Sequence, residues 1–461
     1  MEISYSEAGY EALVQDIFRR FPSVQKDGFT AGAYKPGLER MEAFDAALGH
    51  PSRAFRSVHI AGTNGKGSVA NLLASACRSC GLRTGLFTSP HLLDFRERMR
   101  IDGAPIPKDF VFSFLSEWMS WIIRNELSFF EITTGLAFKW FASQEVDIAV
   151  IEAGLGGRLD STNILQPKLS IVTSIGLDHC ALLGDTLPRI AAEKAGIFKA
   201  GVPALVAEST QETDPVFNEK AWMFCPLSYA SHLRPRLWNR HKEILQQMDL
   251  QASVQEKNLR TVLCALDILR QLPDFHALNN DEAMVDGLVH TARDMDFHGR
   301  WERLSEQPYV LADIGHNAHA LQHNFAQLEA LVRSGRFCSL IIVYGIMADK
   351  DLDAILPLMP RDATYIFTAP DTPRALPPEV ILARFKAFRA AQGLPTTRAY
   401  DFVNVRQAVQ MAVQLGQNLS SQLNRSASAE KPAPPLIYIG GSTFVVAEAL
   451  PLFQKITTFE A

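Results

Sequence analysis

The sequence predicts an α/β fold, a P-loop-type parallel-sheet domain followed by a smaller Rossmann-like α/β domain, and three observations carry that prediction. Short apolar runs alternate with helical patterns through the N-terminal two-thirds of the chain. Several of those runs lack the polar alternation of a half-exposed strand, as parallel strands covered on both faces do. A second set of such runs resumes near residue 309, after a polar stretch. At 461 residues the chain is too long for one ordinary core, so two domains are expected. They are drawn at residues 1–303 and 304–461.

In chain order, "SVHIAG" (Ser57 to Gly62) reads as the first buried strand and runs into the glycine-rich bend "GTNGKGS" (Gly62 to Ser68). Val69, Leu72, Leu73, Ala76, Cys77 and Cys80 then recur at helical spacing, with Gly81 placed as a helix terminator. "TGLFTSP" (Thr84 to Pro90), "DIAVIEAG" (Asp147 to Gly154) and "LSIVTSIG" (Leu169 to Gly176) supply further parallel strands. "HGRWERLSEQP" (His298 to Pro308) is polar and closes on proline, which marks a linker. Beyond it, "YVLAD" (309–313), "SLIIVYG" (339–345), "ATYIFT" (363–368) and "LIYIGGS" (436–442) are strand candidates of the second sheet. The serine- and proline-biased stretch Ser420 to Pro435 reads as a loop without chemistry.

Composition narrows the function. A 47% hydrophobic and 21% charged chain is globular. A formal net charge of −5 gives no general attraction for nucleic acid or anionic lipid. No apolar run reaches the length of about 18 residues that crosses a bilayer, and the acidic start of the chain is no signal peptide. Six scattered cysteines suit a reducing cytoplasm. "CRSC" (Cys77 to Cys80) has metal-like spacing but no second pair and lies on an apolar helical face, so it reads as core thiols.

The bend is the most informative segment. Glycines entering a helix let backbone N–H groups converge on an anion, and the helix dipole favours negative charge there. Lys66 adds a point charge for outer phosphates and Ser68 a hydroxyl for magnesium. The standard phosphate loop places its hydroxyl directly after the lysine; here Gly67 intervenes. A purely structural glycine turn is the plainer alternative. Glu152 ends one predicted strand, where a carboxylate can reach a metal-bound phosphate. Asp178 and His179 follow another. Taken singly, a strand-terminal glutamate is often a solvated cap and a lone histidine a structural group.

These pieces resemble the Mur ligase superfamily, and within it folylpolyglutamate synthase and the bifunctional dihydrofolate synthase. The resemblance runs from "AYKPGLERM" (Ala33 to Met41) to "YIGGS" (Tyr438 to Ser442). It is carried by "GTNGKGS", "FTSPHL" (Phe87 to Leu92), "ERMRI" (Glu97 to Ile101), "GLGGRLDSTN" (Gly154 to Asn163), "AAEKAGIFK" (Ala191 to Lys199), "HGRWE" (His298 to Glu302) and "DIGHNAHA" (Asp313 to Ala320). It implies an ATP-dependent ligase, with ATP as co-substrate and Mg2+, joining L-glutamate to dihydropteroate or a reduced folate through an acyl phosphate. By the same resemblance Gly62, Thr63, Asn64, Gly65, Lys66, Gly67 and Ser68 cradle the ATP phosphates, and Asn258, Arg300 and Asp313 contact the nucleotide. Ser89, Glu152 and His179 match magnesium ligands, with Ser68 a further one. Lys194 matches a lysine that such ligases carbamylate; the plainer alternative is an exposed helix lysine. Lys66, Asp313 and His316 are the catalytic candidates, with Asn317 an equally expected helix N-cap. Phe129, Phe130 and Asp160 resemble parts of a pterin-binding region, against core packing for the two phenylalanines.

The chain is expected to be a cytoplasmic monomer, and nucleotide contacts from both halves would make its domains close about residues Arg300 to Pro308. Three other readings stay open: folylpolyglutamate synthase activity alone, a sister ligase acting on a peptidoglycan precursor, and a nucleotide-gated binding protein that does not ligate.

Overall fold

A computed structural model describes residues 5–23, 27–28, 35–222, 224–426 and 432–453. The start of the resemblance at Ala33 and Tyr34 lies outside these residues. The chain divides into two compact units, residues 1–249 with 254–297, and residues 250–253 with 298–461.

The first unit is built on an eight-stranded sheet in the order β4-β3-β2-β5-β1-β6-β7-β8. Its strands are β1 (Ser57–Ala61), β2 (Thr84–Phe87), β3 (Met99–Ile101), β4 (Ala104–Pro105), β5 (Ile148–Glu152), β6 (Leu169–Val172), β7 (Ala204–Val206) and β8 (Leu227–Tyr229). β2, β5, β1, β6, β7 and β8 run parallel; β3 and β4 add antiparallel pairs at one edge. Every residue of β1, β2, β5 and β6 is buried. That is why their sequences read as continuous apolar runs. The helix Lys66–Ser79 follows β1 directly and buries all its residues from Ser68 to Cys77. It stops at Cys80, and Gly81 takes the left-handed conformation that closes it (φ 87°). Cys77 is buried in the core, whereas Cys80 is half-buried at the helix end.

The second unit carries a six-stranded sheet in the order β13-β12-β11-β14-β10-β9. These are β9 (Glu302–Glu306), β10 (Tyr309–Asp313), β11 (Leu340–Tyr344), β12 (Ala363–Thr368), β13 (Ala399–Phe402) and β14 (Leu436–Gly440). All pairs are parallel except β9 with β10. Asp313 pairs with Gly440, and Gly440 with Tyr344, so three strands end at one edge.

Two expectations are corrected here. The polar run His298 to Pro308 is no linker: its residues 302–306 form the antiparallel edge strand β9, and one face of such a strand stays polar because it meets water. The unit boundary at Phe297/His298 lies a few residues ahead of the one drawn at 303/304. The stretch Ser420 to Pro435 is not wholly loop either. The helix Val405–Ser426 continues through its first residues, because a helix whose other face is packed tolerates residues of modest helix propensity. Residues 427–431 lie outside the described set.

Candidate active site

The bend after β1 has the backbone its glycines predict. Gly62 has φ 152°, and a Cβ there would lie 1.8 Å from Thr173 Oγ1. Gly65 has φ 87° and caps the helix that Lys66 begins. The turn after β6 clamps the bend. Thr63 N donates to Ser174 O at 2.7 Å, Thr63 Oγ1 to Gly176 O at 3.0 Å, and Thr173 Oγ1 to Asn64 O at 2.8 Å. The helix N-terminus and its loop are thus held in place by the chain itself, in the kind of glycine turn whose N–H groups can converge on an anion. Asn258 lies against it: its Oδ1 would be 2.8 Å from a Cβ on Gly65, and its Nδ2 donates to Gln255 Oε1 at 2.9 Å. Ser68 is buried in the first turn.

Two lysines meet beneath this loop. Lys66 Nζ donates to Gly62 O at 3.1 Å and to Thr63 O at 3.2 Å, and lies 4.0 Å from Glu152 Oε1. Lys194 Nζ donates to the same Gly62 oxygen at 2.8 Å. Lys194 is only 3% exposed, which removes the exposed-lysine alternative. Burial, followed by the Lys66 charge, pulls its amine from the ordinary lysine range down to about 7. Glu152, at the end of β5, is likewise 3% exposed and no solvated cap. Its Oε2 accepts from Ser89 N at 3.2 Å. Ser89, Glu152, Lys66, Gly62 and Lys194 therefore form one connected chain of contacts. His179 stands at the start of the short helix Cys180–Leu183, with φ 53°, and its Nε2 lies 3.9 Å from Asp178.

Among the described residues no group of three or more histidine, cysteine, aspartate or glutamate side chains could hold a metal. The donor set suits magnesium nonetheless, because that ion takes few protein carboxylates and completes its octahedron with hydroxyl, water and phosphate oxygens. Glu152 beside the Ser89 turn and Ser68 at the loop are such hard oxygen donors.

The motif residues Gly154 to Asn163 pack onto the Lys194 helix. Arg158 N donates to Glu193 O at 2.8 Å, and Asn163 Nδ2 to Gly196 O at 3.0 Å. A Cβ on Gly157 would lie 2.9 Å from the carbonyls of both Glu193 and Lys194. Asp160 organises this loop. Its Oδ1 accepts from Thr162 N at 3.0 Å and from Thr162 Oγ1, and its Oδ2 accepts from Leu155 N at 2.8 Å. Burial pushes its carboxyl up while those bonds oppose the rise.

Of the two phenylalanines, Phe129 is core: it stacks on Phe18 with centroids 5.2 Å apart and carries the Arg98 guanidinium 5.2 Å above its ring. Phe130 is half-buried, with its ring beside Gly154. Ser128 and Glu131 form the capping box that starts their helix, and Glu131 also takes the Arg40 guanidinium at 3.1 Å.

In the second unit, Asp313 ends β10. Its Oδ2 accepts from Trp301 N at 3.0 Å and its Oδ1 from Gly315 N at 2.8 Å and Asn324 Nδ2 at 2.6 Å. This ties the "HGRW" turn, with Arg300 in it, to the end of the strand; Glu302 adds bonds to His298 and Gly299 N. His316 Nδ1 lies 3.1 Å from Ile314 O. A carbonyl only accepts, so Nδ1 is the donor of that bond. Asn317 caps the helix Ala318–Arg333, as expected, accepting from Ala320 N.

Comparison with known proteins decides the family. Residues 60–220 match the Mur ligase middle domain, and residues 299–419 the Mur ligase glutamate ligase domain. A dihydrofolate synthase/folylpolyglutamate synthase of Bacillus subtilis is 32% identical over 74% of this chain and 83% of its own length. The chain belongs to the dihydrofolate synthase/folylpolyglutamate synthase family. Its Escherichia coli relative of the same description is 31% identical over 75% of this chain and 80% of its own. The family's solved folylpolyglutamate synthase from Mycobacterium tuberculosis, complexed with ADP and AMPPCP, is 26% identical with a TM-score of 0.79, covering 97% of this chain and 99% of that one. The chain spans 48% of a Haloferax volcanii relative described as a probable bifunctional folylpolyglutamate synthase/dihydropteroate synthase, at 31% identity over 90% of this chain. The sister-ligase and non-ligating readings give way to the family's acid–amino-acid ligase chemistry.

Some groups at this site carry no signal recognisable in the sequence. Thr173 was visible only as part of a strand end. His59 and Thr162 sit inside the quoted motifs but read as strand and turn. Arg98 lies within the quoted "ERMRI" segment without a role of its own there; it donates to His91 Nδ1 at 2.8 Å, and burial pulls it down to about 10.

Proposed function

We propose that the protein is an ATP-dependent ligase that adds L-glutamate to a folate-type carboxylate, with both dihydrofolate synthase and folylpolyglutamate synthase activity. The observation that carries this reading is the anion cradle of Gly62 to Ser68 beside the Lys66–Glu152 pair, in a chain of this family. Carboxylate and amine do not condense unaided in water. One oxygen of the folate carboxylate attacks the γ-phosphorus of ATP in line; the bond to ADP breaks, leaving an acyl phosphate. The α-amine of glutamate then attacks the acyl carbon, inorganic phosphate leaves, and the amine gives up a proton as the amide forms.

Lys66 neutralises charge on the transferring phosphoryl group. Glu152, Ser89, His179 and Ser68 would hold magnesium, which neutralises phosphate charge when bound. Lys194 acts as its carbamate. Reaction of the neutral amine with CO2 forms an N–C bond, releases a proton and turns the side chain into a hard oxygen ligand of the kind magnesium prefers. Support comes from its burial, its contact with Gly62 and the depression of its amine to about 7. From the second unit we assign Arg300 and Asp313 to the nucleotide, Asp313 by fixing the turn that bears Arg300, and His316 to the intermediate. Phe130 contributes to the folate wall directly, Phe129 and Asp160 from beneath it.

One observation favours the narrower reading, folylpolyglutamate synthase alone. The Asp160 carboxylate is taken up by its own loop, so a pterin ring gains no obvious acceptor from it. A single assay separates the two. Purified protein with ATP, magnesium and glutamate is offered dihydropteroate or a reduced folate in turn, and products are weighed by mass spectrometry. Two glutamylated products support the bifunctional reading; one supports the narrower; ADP release indifferent to either acceptor removes both.

A further inference from the structure

His59 lies fully buried in the middle of β1, three residues before the bend. Its Nε2 is 2.8 Å from Thr162 Oγ1. That hydroxyl has one proton, and it goes to Asp160 Oδ1, where Thr162 N also donates. Thr162 Oγ1 must therefore accept from the imidazole, which makes His59 the Nε2–H tautomer. Its Nδ1 is buried with no hydrogen-bond partner among the described residues. A leucine or valine at this point of a buried strand would carry no such orphan, so packing alone does not account for the histidine.

We propose that His59 is a positioning residue for the folate side of the site, acting through the Thr162 hydroxyl on the Asp160 carboxylate. Asp160 Oδ2 in turn holds Leu155 N at 2.8 Å, at the head of the loop. That loop sets Gly154 against the Phe130 ring and Gly157 against the carbonyls of Glu193 and Lys194. The relay thus links the strand that carries the phosphate bend to the wall that carries Phe130 and the Lys194 helix. It rests on the folate-ligase reading for its effect on substrate, but not for its effect on the loop.

The test uses the full chain and three variants: His59→Leu, Thr162→Val and Thr162→Ser. With the relay cut, amide exchange at Leu155 and Thr162 rises by about tenfold in His59→Leu and Thr162→Val without any substrate. The KM for the folate acceptor rises by roughly fivefold or more, while affinity for AMPPNP stays within about twofold of wild type. Thr162→Ser, which keeps the hydroxyl, stays near wild type. His59→Leu keeps or gains thermal stability, because an orphan acceptor is removed; should it fail to fold, Thr162→Val reads the same relay. Unchanged exchange in both cut variants overturns the proposal, as does loss of nucleotide affinity with exchange unchanged, since His59 would then act on the bend directly. If the wild type turns over no folate, the exchange measurement alone decides the relay and only the ligase reading fails.

Discussion

Lys194 and Lys66 donate to one acceptor, the carbonyl oxygen of Gly62, at 2.8 and 3.1 Å. Two full ammonium charges on one buried carbonyl repel each other, and the more buried of the two gives up its charge more readily.

The first prediction concerns that amine. The unmodified Lys194 is depressed to about 7 against 10.5 in a model chain. Between those values the unfolded chain binds the extra proton, so stability rises with pH across the window, and below about pH 7 the full penalty remains. In bicarbonate-free buffer Lys194→Met should flatten that rise and gain roughly 1–4 kcal/mol at pH 7, measured by urea unfolding at pH 7 and 9.5. The same variant should lose ligation by about 100-fold or more. Wild-type protein equilibrated with labelled CO2 should show a carbamate carbon resonance that the variant lacks; its absence from wild type would remove the carbamate from the mechanism.

Glu152 receives the Ser89 N–H at 3.2 Å and sits 4.0 Å from Lys66. Glu152→Gln keeps the shape and removes the charge. The magnesium concentration at half-maximal rate should rise by about 10–100-fold, with the melting temperature little changed. A titration curve overlapping wild type would place the metal elsewhere.

Much of the fold was legible because period and burial agree. β10 and β12 run over the residues their apolar patterns marked, and β1, β2, β5, β6, β11 and β14 differ at their ends. What escaped were β3, β4, β7, β8, β9 and β13. They are short or lie at sheet edges, where pairing rather than an apolar run defines a strand. The site divides in the same way. Gly62 and Gly65 announce themselves because only glycine tolerates their backbone, and Lys66 because it follows them. The roles of Asp160 and Asp313 could not be read, since a carboxylate that ties down its own loop and one that waits for a ligand are the same letter. Only the donors around them, which come from the chain itself, tell them apart.

Gly65 tests the cradle from its backbone. A side chain at φ 87° costs about 1–2 kcal/mol, and an alanine Cβ there would sit 2.8 Å from Asn258 Oδ1. Gly65→Ala should destabilise the chain by that amount or slightly more and weaken AMPPNP binding. Adding Asn258→Ala removes the clash but leaves the backbone cost, so the double variant should regain only part of the lost stability. Full recovery would mean that the clash, not the backbone, requires the glycine; no coupling between the two sites would mean that Asn258 does not press on the bend.

Asp313 and His316 stand three residues apart and should fail differently. Asp313→Ala strips the acceptor from Trp301 N, Gly315 N and Asn324 Nδ2 in a buried corner. Stranding those donors should cost roughly 2–4 kcal/mol, seen as an earlier unfolding transition. His316→Ala removes the imidazole and its bond to the Ile314 carbonyl while the helix keeps its Asn317 cap. It should unfold close to wild type yet ligate at least about tenfold more slowly at saturating substrates, a loss in kcat. A His316→Ala variant with full kcat takes the histidine out of the chemistry, and one that melts as early as Asp313→Ala assigns it to the framework.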